Sequence, residues 1–179
     1  MHKARLNLTL LLVAFSASVL LQADTAHDGT RQRLEKEVRH ELVMLPFYGL
    51  FDNLAFQIEG SKVALLGQVT TPTLRTQAER LVRQIEGVEN VENKIEVLPL
   101  SPNDDRIRRA EYRAIYAHTA LARYALRAVP TIHIIVKNGH VTLEGAVASQ
   151  SDKTIAGIQA NGVPGVFSVT NELLVDTER

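Results

Sequence analysis

Cysteine is absent from this chain of 179 residues, and so is tryptophan. Without cysteine there is no disulfide, no thiol nucleophile, no thiolate zinc site and no iron–sulfur cluster. A charge excess is missing as well, because 20 Lys and Arg stand against 20 Asp and Glu. A neutral chain argues against nucleic-acid binding driven by global basicity. A hydrophobic share of 45% argues against disorder. Enzyme motifs are also missing: G-x-S-x-G, the P-loop and G-x-G-x-x-G do not occur, and no histidine pair has zinc spacing. No catalytic residue, metal site or cofactor is expected.

Long apolar runs are scarce. Leu6 to Leu21 is uncharged but has 16 residues, short of the roughly 20 that a spanning helix needs. Lys3 and Arg5 precede it with no acid between. A basic start before a short apolar run is the pattern of a secretory signal peptide. It is read over residues 1–23, with cleavage near 23–26, where Ala23 and Ala26 supply the small residues.

The remainder is one unit written twice. Shifting the sequence by 78 residues lays Val63, Leu65, Gly67 and Val69 on Val141, Leu143, Gly145 and Val147. Positions 63–97 and 141–175 share 11 identities in 35 without a gap. Upstream, Leu54, Phe56 and Ile58 meet Ile132, Ile134 and Val136, and His40 meets His118. The units are read as 30–98 and 106–176. The linker is 99–105, where Pro99 and Pro102 interrupt regular structure.

Each unit reads helix–strand–strand–helix–strand. Leu34, Val38, Leu42 and Leu45 recur at helical spacing. Leu54, Phe56 and Ile58 alternate as a strand, and Val63, Leu65, Gly67 and Val69 as its partner. Thr71-Pro72 predicts a helix start with a capping hydroxyl. Ala78, Leu81, Val82 and Ile85 give that helix an apolar face, and Gly87 ends it. Val91, Ile95 and Val97 alternate in a last strand, as do Phe167 to Val175. Asn138-Gly139 predicts a two-residue hairpin turn that sets Val136 opposite Val141, Ile134 opposite Leu143 and His133 opposite Glu144. The last pair is expected on the solvent side. Helices on one face of a small mixed sheet make an α+β domain.

These residues resemble a known family, the BON domain (bacterial OsmY and nodulation). The pattern is G-x-V-x-L-x-G-x-V, a helix with an internal alanine, then G-V-x-x-V-x-N-x-[IL]-x-V. In the first unit Gly67, Gly87 and Asn93 mark it, and in the second Gly145, Gly165 and Asn171. The resemblance implies two tandem αββαβ domains, a periplasmic location and non-catalytic work. It also implies binding to phospholipid membranes and protection of the envelope under osmotic or other stress. The pattern consists of fold residues and carries no catalytic set.

Two segments stand out as binding candidates. Leu45-Pro-Phe47-Tyr48-Gly-Leu50-Phe51 concentrates three aromatics, and the second unit has no such run. Phe47, Tyr48 and Phe51 suit insertion at a lipid interface or grip on a partner, and equally a seal for the domain core or the junction. The second segment is the first helix of the second unit. Arg108, Arg109, Arg113, Arg123 and Arg127 lie on or beside it with tyrosines interleaved. Such a helix suits anionic headgroups, or is a solvated face on which Asp104, Asp105 and Glu111 neutralise half the charge. His40 and His118 read as one shared helix position. Gly162-Val-Pro-Gly165 has the G-x-x-G spacing of a nucleic-acid loop but joins a helix to a strand, so it reads as turn chemistry. The expected partner is an anionic phospholipid membrane surface or an envelope protein, with no nucleic acid. The alternative is an adaptor of an envelope or secretion complex.

Overall fold

Alternating valines and leucines around a mid-strand glycine build the centre of each unit. The computed structural model describes residues 29–126 and 129–176. Helix α1 covers 29–43, followed by strands β1 (Asn53–Glu59) and β2 (Lys62–Val69), helix α2 (Pro72–Val82), and strands β3 (Asn90–Asn93) and β4 (Glu96–Val97). The second unit repeats the order with α3 (Pro102–Tyr116), β5 (Ile132–Lys137), β6 (His140–Val147), α4 (Gln150–Asn161), β7 (Ser168–Asn171) and β8 (Leu174–Val175). A 3₁₀ turn, Ala122–Leu126, lies between α3 and β5.

In each unit the second strand is central. It pairs antiparallel with the first strand and parallel with the last two. The fold is therefore α+β, with two small mixed sheets. Helix α2 packs on β2 and β3, α4 on β6 and β7, and α3 on β5 and α4. Leu54 pairs with Gly67 and Ile132 with Gly145, so the 78-residue offset holds strand by strand. The hairpin register is the expected one, with positive φ at Asn138 and Gly139.

The offset fails for the first helices. The connection from helix to strand spans 44–52 in one unit and 117–131 in the other. His40 accordingly lies on α1, whereas His118 lies beyond the end of α3, so they do not share a helix position. Helix α3 also starts inside the stretch read as linker. Pro102 occupies its first turn, where a missing N–H costs nothing, and Ser101 caps it by accepting from the Asp104 N–H at 3.2 Å. Thr71 holds the cap position of α2, but its hydroxyl makes no capping bond. That helix ends at Val82, ahead of Gly87.

The last strand of each unit is split in two, and an asparagine splits it. Asn93 Oδ1 accepts from the Ile95 N–H at 3.1 Å, and its Nδ2 donates to the Arg75 carbonyl of α2 at 3.0 Å. Asn171 repeats both bonds to Leu173 and Lys153. A side chain that bonds the main chain two residues on turns the strand locally, and the helix carbonyl ties that turn to α2 or α4.

Gly67 and Gly145 are required by space. Both have positive φ, and a Cβ at either would lie 2.1 Å from a main-chain oxygen, that of Asn53 or Thr131. Gly60 also has positive φ but nothing within 4 Å. Gly145→Ala should lower stability by about 3 kcal/mol and Gly60→Ala by about 1 kcal/mol. Urea denaturation followed by circular dichroism measures both, and comparable small losses would show that the sheet yields at Gly145.

Candidate functional site

The aromatic segment divides between three environments. Leu45 is buried in the first core. Pro46 and Phe47 then occupy the middle of a turn closed by the Tyr48 N–H on the Leu45 carbonyl at 3.2 Å. Phe47 has φ 69°, the conformation a type II turn assigns to glycine. Its side chain is 88% exposed. Tyr48 is half-buried, packs against the first core and stacks on His133 with ring centres 5.6 Å apart. Burial pushes its hydroxyl up to about 12, partly opposed by the Leu54 backbone. Leu50 and Phe51 pack against the second core. The Leu50 carbonyl accepts from the Ile134 N–H at 2.7 Å. The segment thus joins the units through Tyr48, Leu50 and Phe51, and holds Phe47 in solvent.

His133 follows from that junction. It sits opposite Glu144, as the hairpin register predicts, but it is buried and not on the solvent side. The covering group is Tyr48 of the other unit, which no reading of β5 alone includes. Burial lowers the His133 pKa, against opposition from the Asp52 and Gly49 backbone and the Asp52 charge. Asp52 is itself buried and accepts from the Gly49 N–H, the Thr70 N–H and the Thr70 hydroxyl.

The arginines divide as well. Arg108 is 5% exposed and turned inward. Its Nη2 donates to the Val136 carbonyl at 2.7 Å and its Nη1 to Asp105. Arg123 pairs with Asp152, which also accepts from the hydroxyls of Tyr124 and Ser149. Tyr124 in turn accepts from the Ala148 N–H. Arg127 and the signal-like residues 1–23, with the cleavage positions to 26, lie outside the described residues. Arg109 and Arg113 are exposed and make no ion pair among the described residues. Between them on the same face lies Tyr112, 42% exposed, its ring 5.2 Å from that of Tyr116. Arg106 is exposed one turn earlier, donates to Asn103 and lays its guanidinium over Gly165. On α4, packed against α3, Ile158 is 62% exposed.

Of the acids expected to neutralise this helix, Asp104 and Glu111 are buried and only Asp105 is exposed. Asp104 is buried and accepts from the Asn138 and Gly139 N–H groups, both at 2.9 Å. Asp105 is held by Arg108. Glu111 is fully buried and neither of its oxygens has a hydrogen-bond partner. Its sequence signal was available: Ile107, Glu111 and Ile115 fall at four-residue steps, so the acid lies in an apolar stripe. Among the described residues no cluster of His, Asp or Glu is arranged to hold a metal. Among them, too, no helix is long and apolar enough to cross a membrane.

Burial pushes the Glu111 carboxyl up to about 8 from its ordinary 4.5. Between those values the folded protein holds a proton that the unfolded chain has lost. Stability therefore falls as pH rises through this window and levels off above it. Glu111→Gln should flatten the slope and stabilise the protein at pH 8 by on the order of 3 kcal/mol. Urea denaturation across the pH series measures it, and parallel curves for the two proteins would refute the assignment.

Comparison with known proteins agrees with the geometry. The BON domain family model matches residues 30–99 and again 117–177. No curated protein matches the chain. Two solved structures of CdsD, a structural protein of the Type III secretion system of Chlamydia trachomatis, align weakly. The first is 11% identical, covers 80% of this chain and 92% of that one, and has a TM-score of 0.30. The second, the CdsD C-terminal domain, is 12% identical, covers 79% and 96%, and has a TM-score of 0.28. Scores this low carry no functional argument. With both repeats matched over well more than half its length, the chain belongs to the BON domain family and contains two BON domains.

Proposed function

We propose that this tandem BON protein is exported to the periplasm and binds the surface of an anionic phospholipid membrane, maintaining the envelope under osmotic or other stress without catalysis. The signal-like start supports export. The association of BON domains with phospholipid membranes supports the ligand class. The observation that carries the reading is the charge partition on α3. Asp104 and Glu111 are buried and the exposed Asp105 is paired with Arg108, so Arg109, Tyr112 and Arg113 form an aromatic face whose two cations make no ion pair among the described residues. Basic side chains held near an anionic leaflet each contribute about 1 kcal/mol, and a tyrosine between them suits the interface.

Phe47 is the second contact. An aromatic at a left-handed turn position costs about 1 kcal/mol or more in strain, and at 88% exposure it gains little from packing. A ring kept there against both terms suits entry into the apolar edge of a membrane.

Flotation of the chain from residue 27 onward with neutral and anionic vesicles tests the reading. Co-flotation with the anionic vesicles alone, weakening as salt rises, is expected. Arg109→Ala with Arg113→Ala should cut partitioning roughly thirtyfold at low salt, the equivalent of about 2 kcal/mol. No flotation at any salt overturns the membrane reading and turns attention to a protein partner. Phe47→Gly should weaken flotation while raising stability by about 1 kcal/mol, since glycine relieves the turn. A Phe47→Gly protein that is less stable would show that the ring serves the fold.

A further inference from the structure

The two units meet over a defined contact. Tyr48 stacks on His133, the Leu50 carbonyl accepts from the Ile134 N–H, and Glu96 pairs with Lys137 at 2.6 Å. Leu98 and Ile135 are buried outside both cores and line one cleft between the units. Among the described residues His133 is the one buried histidine. It lies inside this contact, covered by a ring from the other unit. The imidazole meets the Asp52 and Gly49 backbone, but its Nδ1 is buried with no hydrogen-bond partner. A protonated imidazole donates from both nitrogens. The N–H gained at Nδ1 would be enclosed with nothing to accept it, and a buried charged donor left unmet is costlier than a neutral acceptor.

We propose that His133 is an acid-sensitive latch between the units: neutral, it lets Tyr48 close over it, and protonated, it parts Tyr48 from β5 and releases the first unit from the second. The neighbouring charges do not remove the cost. From the first unit, Asp52 attracts the proton but is committed to the Gly49 N–H, the Thr70 N–H and the Thr70 hydroxyl. The Tyr48 hydroxyl, pushed up to about 12, stays neutral. On β6, Glu144 lies opposite, raised by burial and by Glu172. Further along β5, Lys137 is held by Glu96. From α3, Arg108 and Tyr116 are bound to the Val136 and Ile132 carbonyls, and Glu111 is buried on the helix side of the sheet. Burial outweighs these influences and holds the docked ring below its ordinary value of 6.5. Exposed to water in the parted arrangement, His133 takes up its proton near that value, whereas the docked ring resists. As pH falls below 6.5, each pH unit therefore favours parting by up to about tenfold, until the docked ring titrates as well. Glu111 acts in the opposite sense, since its proton stabilises the second unit as pH falls. The junction, rather than that unit, is what acid loosens. The latch holds whatever ligand the units take.

Fluorescence energy transfer across the junction tests the proposal on the chain from residue 27 onward. The chain has no cysteine, so Gln84→Cys and Ser151→Cys, both at exposed positions, give one labelling site in each unit. Transfer should be constant from about pH 8 to about pH 7 and then shift with the steepness of a single proton, while far-UV circular dichroism stays unchanged. His133→Phe keeps a ring beneath Tyr48 without the titrating nitrogen and should hold the neutral-pH value down to about pH 5. Proton NMR of the His133 ring needs no substitution there, and its titration should coincide with the shift in transfer. Constant transfer from about pH 8 to about pH 5 overturns the proposal. So does a shift that persists in His133→Phe, or one whose midpoint departs from the His133 titration.

Discussion

Strand β5 is buried on both faces, and that single constraint organises the molecule. Four of its residues are apolar, and His133 is buried among them. A strand so placed has no water to satisfy its outward main chain, and a buried unpaired amide or carbonyl costs a substantial part of a domain's stability. The groups that answer this come from two directions. Tyr116 and Arg108 reach over from α3, and the Leu50 carbonyl comes from the preceding unit. Leu50 and Phe51 then fill the second core and Tyr48 covers His133. The second unit is completed by the first, so the tandem is more than two beads on a string.

The same constraint explains why the two copies keep one fold and diverge in use. The glycines that clear a main-chain oxygen and the asparagines that bind a helix carbonyl serve each unit separately. Neither can be exchanged without disturbing its own sheet, and both recur at the same offset. The segment before the first strand answers to a different demand. In the first unit it reaches outward to a neighbour. In the second it folds into a 3₁₀ turn, pinned by Tyr124 to Asp152 and the Ala148 N–H.

Helix α3 shows how packing sorts charge. Its sequence is nearly balanced, yet Asp104 closes the hairpin turn, Asp105 holds Arg108 and Glu111 is fully buried. What remains on the surface is Asp105, paired with Arg108, and, unpaired among the described residues, Arg109 and Arg113 with Tyr112 between them. Global neutrality therefore coexists with a local cationic face, and the proposed attraction to anionic lipid is a property of that face.

Much of this was legible in the residues. Alternation of Val and Leu, Asn-Gly at the hairpin, and the 78-residue self-match determine the strands, their register and the two BON domains, because these depend on contacts within a few residues or within one hairpin. The buried acid was legible too, as Glu111 in an apolar stripe. Tertiary structure alone decided which side of each candidate faces water. Arg108 turns to a strand edge, Tyr48 and Phe51 to a neighbouring unit, and Phe47, Arg109 and Arg113 to solvent. The inward turn of Arg108 and the docking of the segment around Leu50 answer the outward main-chain groups of β5, a demand that arises only when distant segments meet.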